Sequence, residues 1–200
     1  MMSMRPIPAP AAGLLAAAGL AAALALAAPL AAQSLAQRVA AAPDGTLHFS
    51  FRVREGVCGN GENISTGRRS TEWESACDDG PGRVALDVAG HQVTGLRFYV
   101  GGRWKSGSGT DLGQVSAREA SDYLLELAAH GEGRAAERAV LPASVADSVV
   151  VWPKLLDIAR DAGRPNAVRR SATFWLSQQA AEAATRGLVE LAGSDADREV

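Results

Sequence analysis

The pattern of apolar and polar residues is strand-like at three places in the first half of the chain. The stretch Thr46–Val53 has the two-residue period of a half-buried strand. Arg83–Val88 and Gln92–Val100 are also strand-like, and the connection Ala89-Gly90-His91 has the length of a hairpin loop. The pattern therefore predicts a small antiparallel sheet, with a further strand around residues 70–76. The apolar side of the first strand is formed by Leu47, Phe49, Phe51 and Val53, and its polar side by His48, Ser50 and Arg52.

The second half of the chain has a helical period. The sequence Ser116-Ala-Arg-Glu119 has the form of a capping box, in which the Ser side chain accepts a helix N–H and the Glu reaches back. It predicts a helix that ends near His130-Gly131. A second helix is predicted from Arg134 to about Ala146, interrupted or tightened at Pro142, which cannot donate a backbone hydrogen bond.

Two further helices are predicted as a hairpin. Pro153 suits the first position of a helix and opens an amphipathic run that ends near Asp161. Another helix opens at Pro165-Asn166, with apolar residues at a spacing of three and four. The first helix carries Leu155, Leu156, Ile158 and Ala159, and the second carries Val168, Ala172, Trp175, Leu176 and Gln179.

The end of the chain repeats part of this hairpin at a spacing of 33 residues. The matching pairs are Leu155 with Leu188, Ile158 with Leu191 and Ala159 with Ala192, and Asp161 and Val168 lie at close to the same spacing from Asp195 and Val200. A single helical hairpin cannot bury its apolar stripe, so such repeats stack on one another. Only one and a half copies are visible, which suggests the N-terminal portion of a longer repeat protein.

The stretch PKLLDIARDAGRPNAVRRSATFWL resembles a HEAT repeat, and also the HEAT-like repeats named after phycobilisome lyases in exported bacterial proteins. The resemblance implies an α-solenoid. It further implies that Arg169 joins a ladder with Asp161 and Asp195 across neighbouring repeats. The repeat core would be formed by Leu155, Ile158, Ala159, Val168, Ala172, Trp175, Leu176, Leu188, Leu191 and Ala192.

The N-terminus has the pattern of a signal peptide. Arg5 precedes an almost uncharged run, rich in Ala and Leu, that ends at Ala32, with small-residue cleavage sites after Ala27 and Ala32. We expect the mature chain to begin near Gln33. An uncleaved anchor is the alternative, since roughly 18 apolar residues can span a bilayer. The run is weakly hydrophobic, and only Arg38 follows it closely, which favours cleavage.

These patterns predict an α+β chain in four parts. They are a signal peptide (1–32), a linker (33–45), a β module closed by a disulfide (46–115) and a HEAT-like solenoid (116–200) truncated in its second clear repeat. Within the β module, the glycine-rich stretches Gly56–Gly67 and Gly101–Gly113 are predicted as a loop and a flexible segment.

The composition of the chain bears on nucleic-acid binding and on disulfide formation. The chain has 20 basic and 22 acidic residues and a net charge of -2, so it offers no general field to attract nucleic acid. Its two cysteines, Cys58 and Cys77, both follow the signal peptide and would meet an oxidising compartment. We therefore expect them to form a disulfide.

Candidate catalytic and metal-binding patterns are missing from the sequence. The histidines His48, His91 and His130 are scattered, without His-x-x-His or Cys-x-x-Cys spacing, so no metal site is expected. No G-x-S-x-G motif is present, and both cysteines are better assigned to a disulfide. We expect no catalytic residues and no cofactor.

The hypothesis that follows is an exported, non-enzymatic scaffold that binds a protein or peptide on a solenoid surface. One alternative is an enzyme accessory, such as a lyase-like or chaperone-like factor that positions a substrate. Another is a structural component of a cell-envelope assembly. No nucleic-acid partner is expected, and no membrane contact beyond export or an uncleaved anchor. Trp152 is left open as a ligand platform, whereas Trp175 is assigned to the core.

Overall fold

A computed structural model describes residues 33–67, 77–102, 107 and 109–194, and for residues 186–194 it describes the backbone alone. All of them belong to one compact unit, Gln33–Val200. The described strands are β1 (Gly45–Phe51), β2 (Cys58–Gly61), β3 (Asn63–Ser65), β4 (Gly82–Ala89), β5 (Gln92–Gly101) and β6 (Thr110–Gln114). The described helices are α1 (Leu35–Ala41), α2 (Ala117–His130), α3 (Gly133–Ser144), α4 (Trp152–Arg160) and α5 (Asn166–Ser194).

The strands form one mixed sheet in the order β3-β2-β5-β4-β1-β6. The predicted hairpin between β4 and β5 is present, and β1 pairs antiparallel with β4. The edge strand β6 runs parallel to β1, with a register shift between His48 and Ser50. The central strands β1, β4 and β5 thus match the strands predicted from the sequence, while the edge strands β3 and β6 are short.

One face of the sheet carries the apolar core. The register aligns Leu47 with Leu86 and Leu86 with Leu96, so three leucines form a row across the central strands. A second row places Val84 between Phe49 and Phe98. These residues are all buried, because the helices cover this face. Cross-strand rows of this kind are the main packing unit of a sheet.

The helices pack directly on the sheet. Helix α3 lies against β5, and the ring of Tyr123 in α2 meets Phe49 edge-on, with the ring centres 6.3 Å apart. Helices α2 and α3 approach closely through buried alanines, and the buried Ser121 hydroxyl donates to the carbonyl of Ala143 at 3.1 Å. One continuous apolar cluster includes residues from α1, the sheet and α2 through α5.

The predicted α-solenoid is wrong, because the helices form a layer on a six-stranded sheet in an α+β fold. Where the repeat pattern requires a turn after the second helix, α5 continues without a break from Asn166 to Ser194. Residues 176–186 are mostly Ala, Gln, Glu and Leu, which favour helix, and a single Gly187 costs only about 1 kcal/mol in a helix. The second repeat therefore has no separate first helix.

Local predictions differ from the structure at several places. The stretch 33–45, interpreted as a linker, contains α1, and the glycine-rich loop at 56–67 contains the short pair β2 and β3. The segment predicted to be flexible after β5 contains β6. Helix α3 continues past Pro142 to Ser144. The signal peptide and the strand around residues 70–76 lie outside the described residues.

The capping box predicted at Ser116 is only half formed. The Ser116 hydroxyl accepts from Glu119 N–H at 3.1 Å, as expected. The Glu119 carboxylate, however, accepts from Leu35 N–H at 2.6 Å and pairs with Arg38 at 3.5 Å. A complete capping box lies instead at Ser34 and Gln37, at the start of α1. Glu119 therefore attaches α1 to α2.

The hairpin turn between β4 and β5 has left-handed backbone at both central residues, Gly90 (φ 58°) and His91 (φ 60°). This is the geometry of a two-residue primed turn, which matches the twist of the strands. The carboxylate of Asp44 accepts from Gly90 N–H at 2.7 Å and from His91 N–H at 3.1 Å. These two bonds stabilise the turn and lower the pKa of Asp44 below its ordinary value.

A first prediction concerns Gly82, where a Cβ atom would lie 2.8 Å from Val53 Cγ1 and 2.9 Å from Phe98 Cε2. The rings of Phe98 and Phe51 are stacked there and cannot move apart without disturbing the core. We expect Gly82→Ala to lower the free energy of unfolding by about 1–3 kcal/mol in urea titrations. Gly67→Ala, whose Cβ would meet nothing within 4 Å, is the control. Equal loss in both variants would contradict the packing described.

A second prediction concerns the pH dependence of the Asp44 contact. The pKa of Asp44 is lower in the folded protein than its ordinary value of 3.8. The contact therefore stabilises the fold at pH values above 3.8, and this stabilisation is lost as the pH falls through the lowered pKa. Asp44→Ala should therefore unfold at a lower temperature than the wild type near pH 7. The difference should shrink towards zero near about pH 2. A difference that stays constant over this range in thermal scans would refute it.

Candidate functional site

A groove of about 810 Å³ lies beside the end of the sheet. Its base is a short backbone pairing between the chain after β1 and the chain after α3. Arg54 N–H donates to the carbonyl of Val145 at 2.9 Å, and Asp147 N–H donates to the carbonyl of Arg52 at 3.0 Å. Val53 and Ala146 form the bridge between them. The groove thus rests on the junction of the sheet and the helical layer.

One wall of the groove is the turn that joins α3 to α4. Ser148 has left-handed backbone (φ 57°), and its hydroxyl donates to the carboxylate of Asp147 at 3.1 Å. Val151 is buried at the start of α4, with 1% of its surface exposed. Val150 and Trp152, on either side of it, are 73% and 52% exposed. The turn therefore places two large apolar side chains in solvent at the groove.

The opposite wall is one face of α5. The lining residues Leu176, Gln179, Ala180 and Ala183 follow a helical spacing of three, four and seven. The neighbouring face, with Val168, Ala172 and Trp175, is buried in the core. Gln179 donates to the carbonyl of Ser144 at 3.1 Å, which connects this wall to the end of α3. The groove wall is thus a stripe of small and apolar residues with one anchored amide.

Charged groups line the groove unevenly. They are Arg54, Glu55, Asp147 and Glu182. The guanidinium of Arg54 forms an ion pair with Glu182, which joins the base of the groove to the wall formed by α5. Asp147 pairs with the exposed Arg52 at 3.0 Å. The lining therefore combines apolar side chains with an excess of carboxylates.

A smaller cavity of about 450 Å³ lies between α1 and α2. Burial raises the pKa of Tyr123 there to about 12, so its hydroxyl stays protonated at neutral pH. The nearby carboxylate of Glu126 is held below its usual pKa by Lys154, whose amine donates to it at 2.7 Å. The Glu119 carboxylate in this cavity already binds α1.

The disulfide predicted from the sequence is present. Cys58 and Cys77 are bonded, with their Cα atoms 5.3 Å apart. Next to the bond, the backbones of Gly59 and Asp78 exchange two hydrogen bonds, of 3.0 and 2.9 Å. The disulfide fixes β2, and neither cysteine lines the groove.

The residues predicted as a repeat core have other positions in this fold. Leu155, Ile158, Val168, Ala172 and Trp175 are buried between α4, α5 and the rest of the helical layer, and Ala159 is half-buried beside them. Among the members whose side chains are described, Leu176 alone lines the groove. The side chains of Leu188, Leu191 and Ala192 lie outside the described residues.

The predicted ladder residues have local roles. The carboxylate of Asp161 accepts from Gly163 N–H at 2.8 Å, within the turn between α4 and α5. Arg169 donates from Nε to the carbonyl of Ala159 at 3.2 Å, at the end of α4. Asp195 lies outside the described residues. Arg164 fixes the same turn to α2, because its guanidinium donates to the carbonyls of Ala128 and Gly131.

Sequence analysis did not identify most residues of the groove. The sequence pattern does not decide whether Trp152 contacts a ligand, and it does not distinguish Val150, Ala180 and Ala183 from other residues. One signal was available: Val149 to Trp152 is an apolar run of four residues in a short connection between two helices. Connections of this kind are usually polar, so an apolar run there indicates a contact surface.

No group of three or more His, Cys, Asp or Glu side chains in the described residues is arranged to hold a metal ion. None of the helices described is both long and apolar enough to cross a membrane.

In comparisons with protein-family models, curated proteins and solved structures, no match to the chain is found. The geometry of the groove is therefore the basis for any functional conclusion.

Proposed function

We propose that this protein is an exported, non-enzymatic binding protein that holds an apolar segment of a protein or peptide partner in the groove between α5 and the turn 145–152. The observation that supports the proposal most is the exposure of Val150 and Trp152, two large apolar residues that line this groove. Exposed apolar side chains grouped around a concave surface are typical of interaction sites.

Further support comes from the construction of the groove. Its base is fixed by backbone hydrogen bonds, and the Arg54–Glu182 ion pair joins this base to the wall formed by α5. A preformed site loses little conformational entropy when a partner binds. Aromatic residues such as Trp152 often provide most of the binding energy of an interface.

Export is part of the same proposal. It is supported by the signal peptide pattern before Gln33 and by the Cys58–Cys77 disulfide, which is typical of oxidising compartments. The proposal does not involve the solenoid surface predicted from the sequence. The partner contact is assigned instead to the groove.

A third prediction tests binding at the groove with a synthetic amphipathic helix of about 18 residues, long enough to form helix on binding. It has Leu and Ala on one face and Gln on the other, and carries a fluorescent label for anisotropy. We expect the wild type to bind it and Trp152→Ser to bind about tenfold more weakly, since a half-exposed aromatic side chain is lost from the contact.

Phe174→Ser is the matched control for this experiment. Phe174 is 54% exposed, like Trp152, but does not line the groove. Its substitution should leave the affinity within about twofold of the wild type. Equal affinity of Trp152→Ser and wild type, or absence of binding to the wild type, would sink the proposal. Circular dichroism of both variants checks that they remain folded.

A further inference from the structure

The groove has an acidic rim. Asp147 and Glu182 each pair with one arginine, whereas Glu55 is exposed and forms none of the salt bridges of the described residues. The three carboxylates lie beside one lining guanidinium, that of Arg54. A partner with positive charge next to its apolar surface would therefore be attracted to this rim.

The wall formed by α5 suits a second helix. Ala180 and Ala183 are small and lie one turn apart on the face that lines the groove, with Leu176 one turn before Ala180. Small residues let the axes of two helices approach to the usual packing distance of about 8–10 Å. Trp152 and Val150 on the opposite wall would then contact the apolar stripe of the bound helix.

The base of the groove already contains one backbone pairing. The carbonyls of Val145 and Arg52 accept from Arg54 and Asp147, so these groups cannot pair with an extended peptide. A helix satisfies its own backbone and needs no open edge of donors and acceptors. The small residues of the α5 wall therefore favour a helical occupant.

A second copy of this chain is a poorer occupant. A two-fold interface through the groove would bring the same surface of both copies together. Each copy would then bring three carboxylates, those of Glu55, Asp147 and Glu182, and two guanidinium groups, those of Arg52 and Arg54, so each copy would add a net negative charge to the contact. Repulsion between like charges opposes such a contact.

We infer that the occupant of the groove is an amphipathic α-helix of a partner protein with Lys or Arg beside its apolar stripe. This inference rests on the proposed function and adds the conformation and the charge of the partner. The apolar stripe lies on Leu176, Ala180 and Ala183, and the basic residues lie at the carboxylates of the rim.

The test compares three labelled peptides with the same Leu and Ala face. Their polar positions carry Gln, Lys or Glu. At low salt we expect the Lys peptide to bind about fivefold more tightly than the Gln peptide and about twentyfold more tightly than the Glu peptide. The preference should shrink when the ionic strength is raised to about 0.5 M, because exposed charges are then screened.

Two variants locate the effect. Glu55→Gln should reduce the preference for Lys over Glu about threefold, because it removes the unpaired carboxylate of the rim. Glu132→Gln removes an exposed carboxylate that does not line the groove and should leave the preference unchanged. A fourth peptide, the Lys peptide with a central proline, cannot form a continuous helix and should bind at least about tenfold more weakly.

The outcomes separate the two proposals. Equal binding of the Gln, Lys and Glu peptides, reduced in each case by Trp152→Ser, overturns the inference about charge and leaves the proposed function intact. Equal binding of the proline peptide and the Lys peptide overturns the helical conformation. Failure of all the peptides to bind overturns the inference together with the proposed function.

Discussion

The burial of one sheet face by the helical layer is the interaction on which the rest of this structure depends. The rows through Leu86 and Val84 continue from β1 across β4 to β5, and α2 and α3 cover them. At about 25 cal/mol per Å² of apolar surface, neither layer could stay exposed at low cost. Small residues allow this close packing. Buried alanines let α2 and α3 approach each other, and the missing side chain of Gly82 leaves room for the stacked rings of Phe51 and Phe98.

The groove is a consequence of this arrangement. Helix α5 is buried on its Val168, Ala172 and Trp175 face, where it meets α3 and α4. Its next face passes the end of α3, where the chain turns back to pair with the residues after β1. Since this turn must bury Val151 at the start of α4, its neighbours Val150 and Trp152 are left in solvent. The apolar surface of the groove is therefore produced by the same packing that completes the core.

The parts of the fold that could be predicted from the sequence have strong local signals. Alternation identified β1, the connection at Gly90 and His91 identified the hairpin, and Ser116 and Pro153 marked the starts of α2 and α4. The strands β2, β3 and β6 were missed because they are short, rich in glycine or polar residues, and held mainly by backbone pairing. Backbone pairing of this kind leaves no hydrophobic period in a sequence.

The solenoid was predicted for a physical reason that also explains the error. A helical hairpin with one apolar stripe must bury it against something, and a repeat pattern suggests another copy of the hairpin. In this chain α3, which itself packs on β5, takes that place against α5. The residues of the groove were mostly missed because the wall of α5 uses Ala180 and Ala183, which are common in any helix, and because its opposite wall belongs to a turn.

The central claim is that the sheet and the helices unfold as one cooperative unit. All four phenylalanines of the chain are among the described residues. Phe98 lies in β5 and Phe174 in α5, so one probe reports on the sheet and the other on the helical layer. Fluorine NMR of the protein labelled with 4-fluorophenylalanine, recorded across a urea titration, follows both positions at once. The account predicts that the native signals of Phe98 and Phe174 disappear at the same urea concentration. Loss of the Phe174 signal while that of Phe98 persists would show that the helices form a separate module and would contradict it.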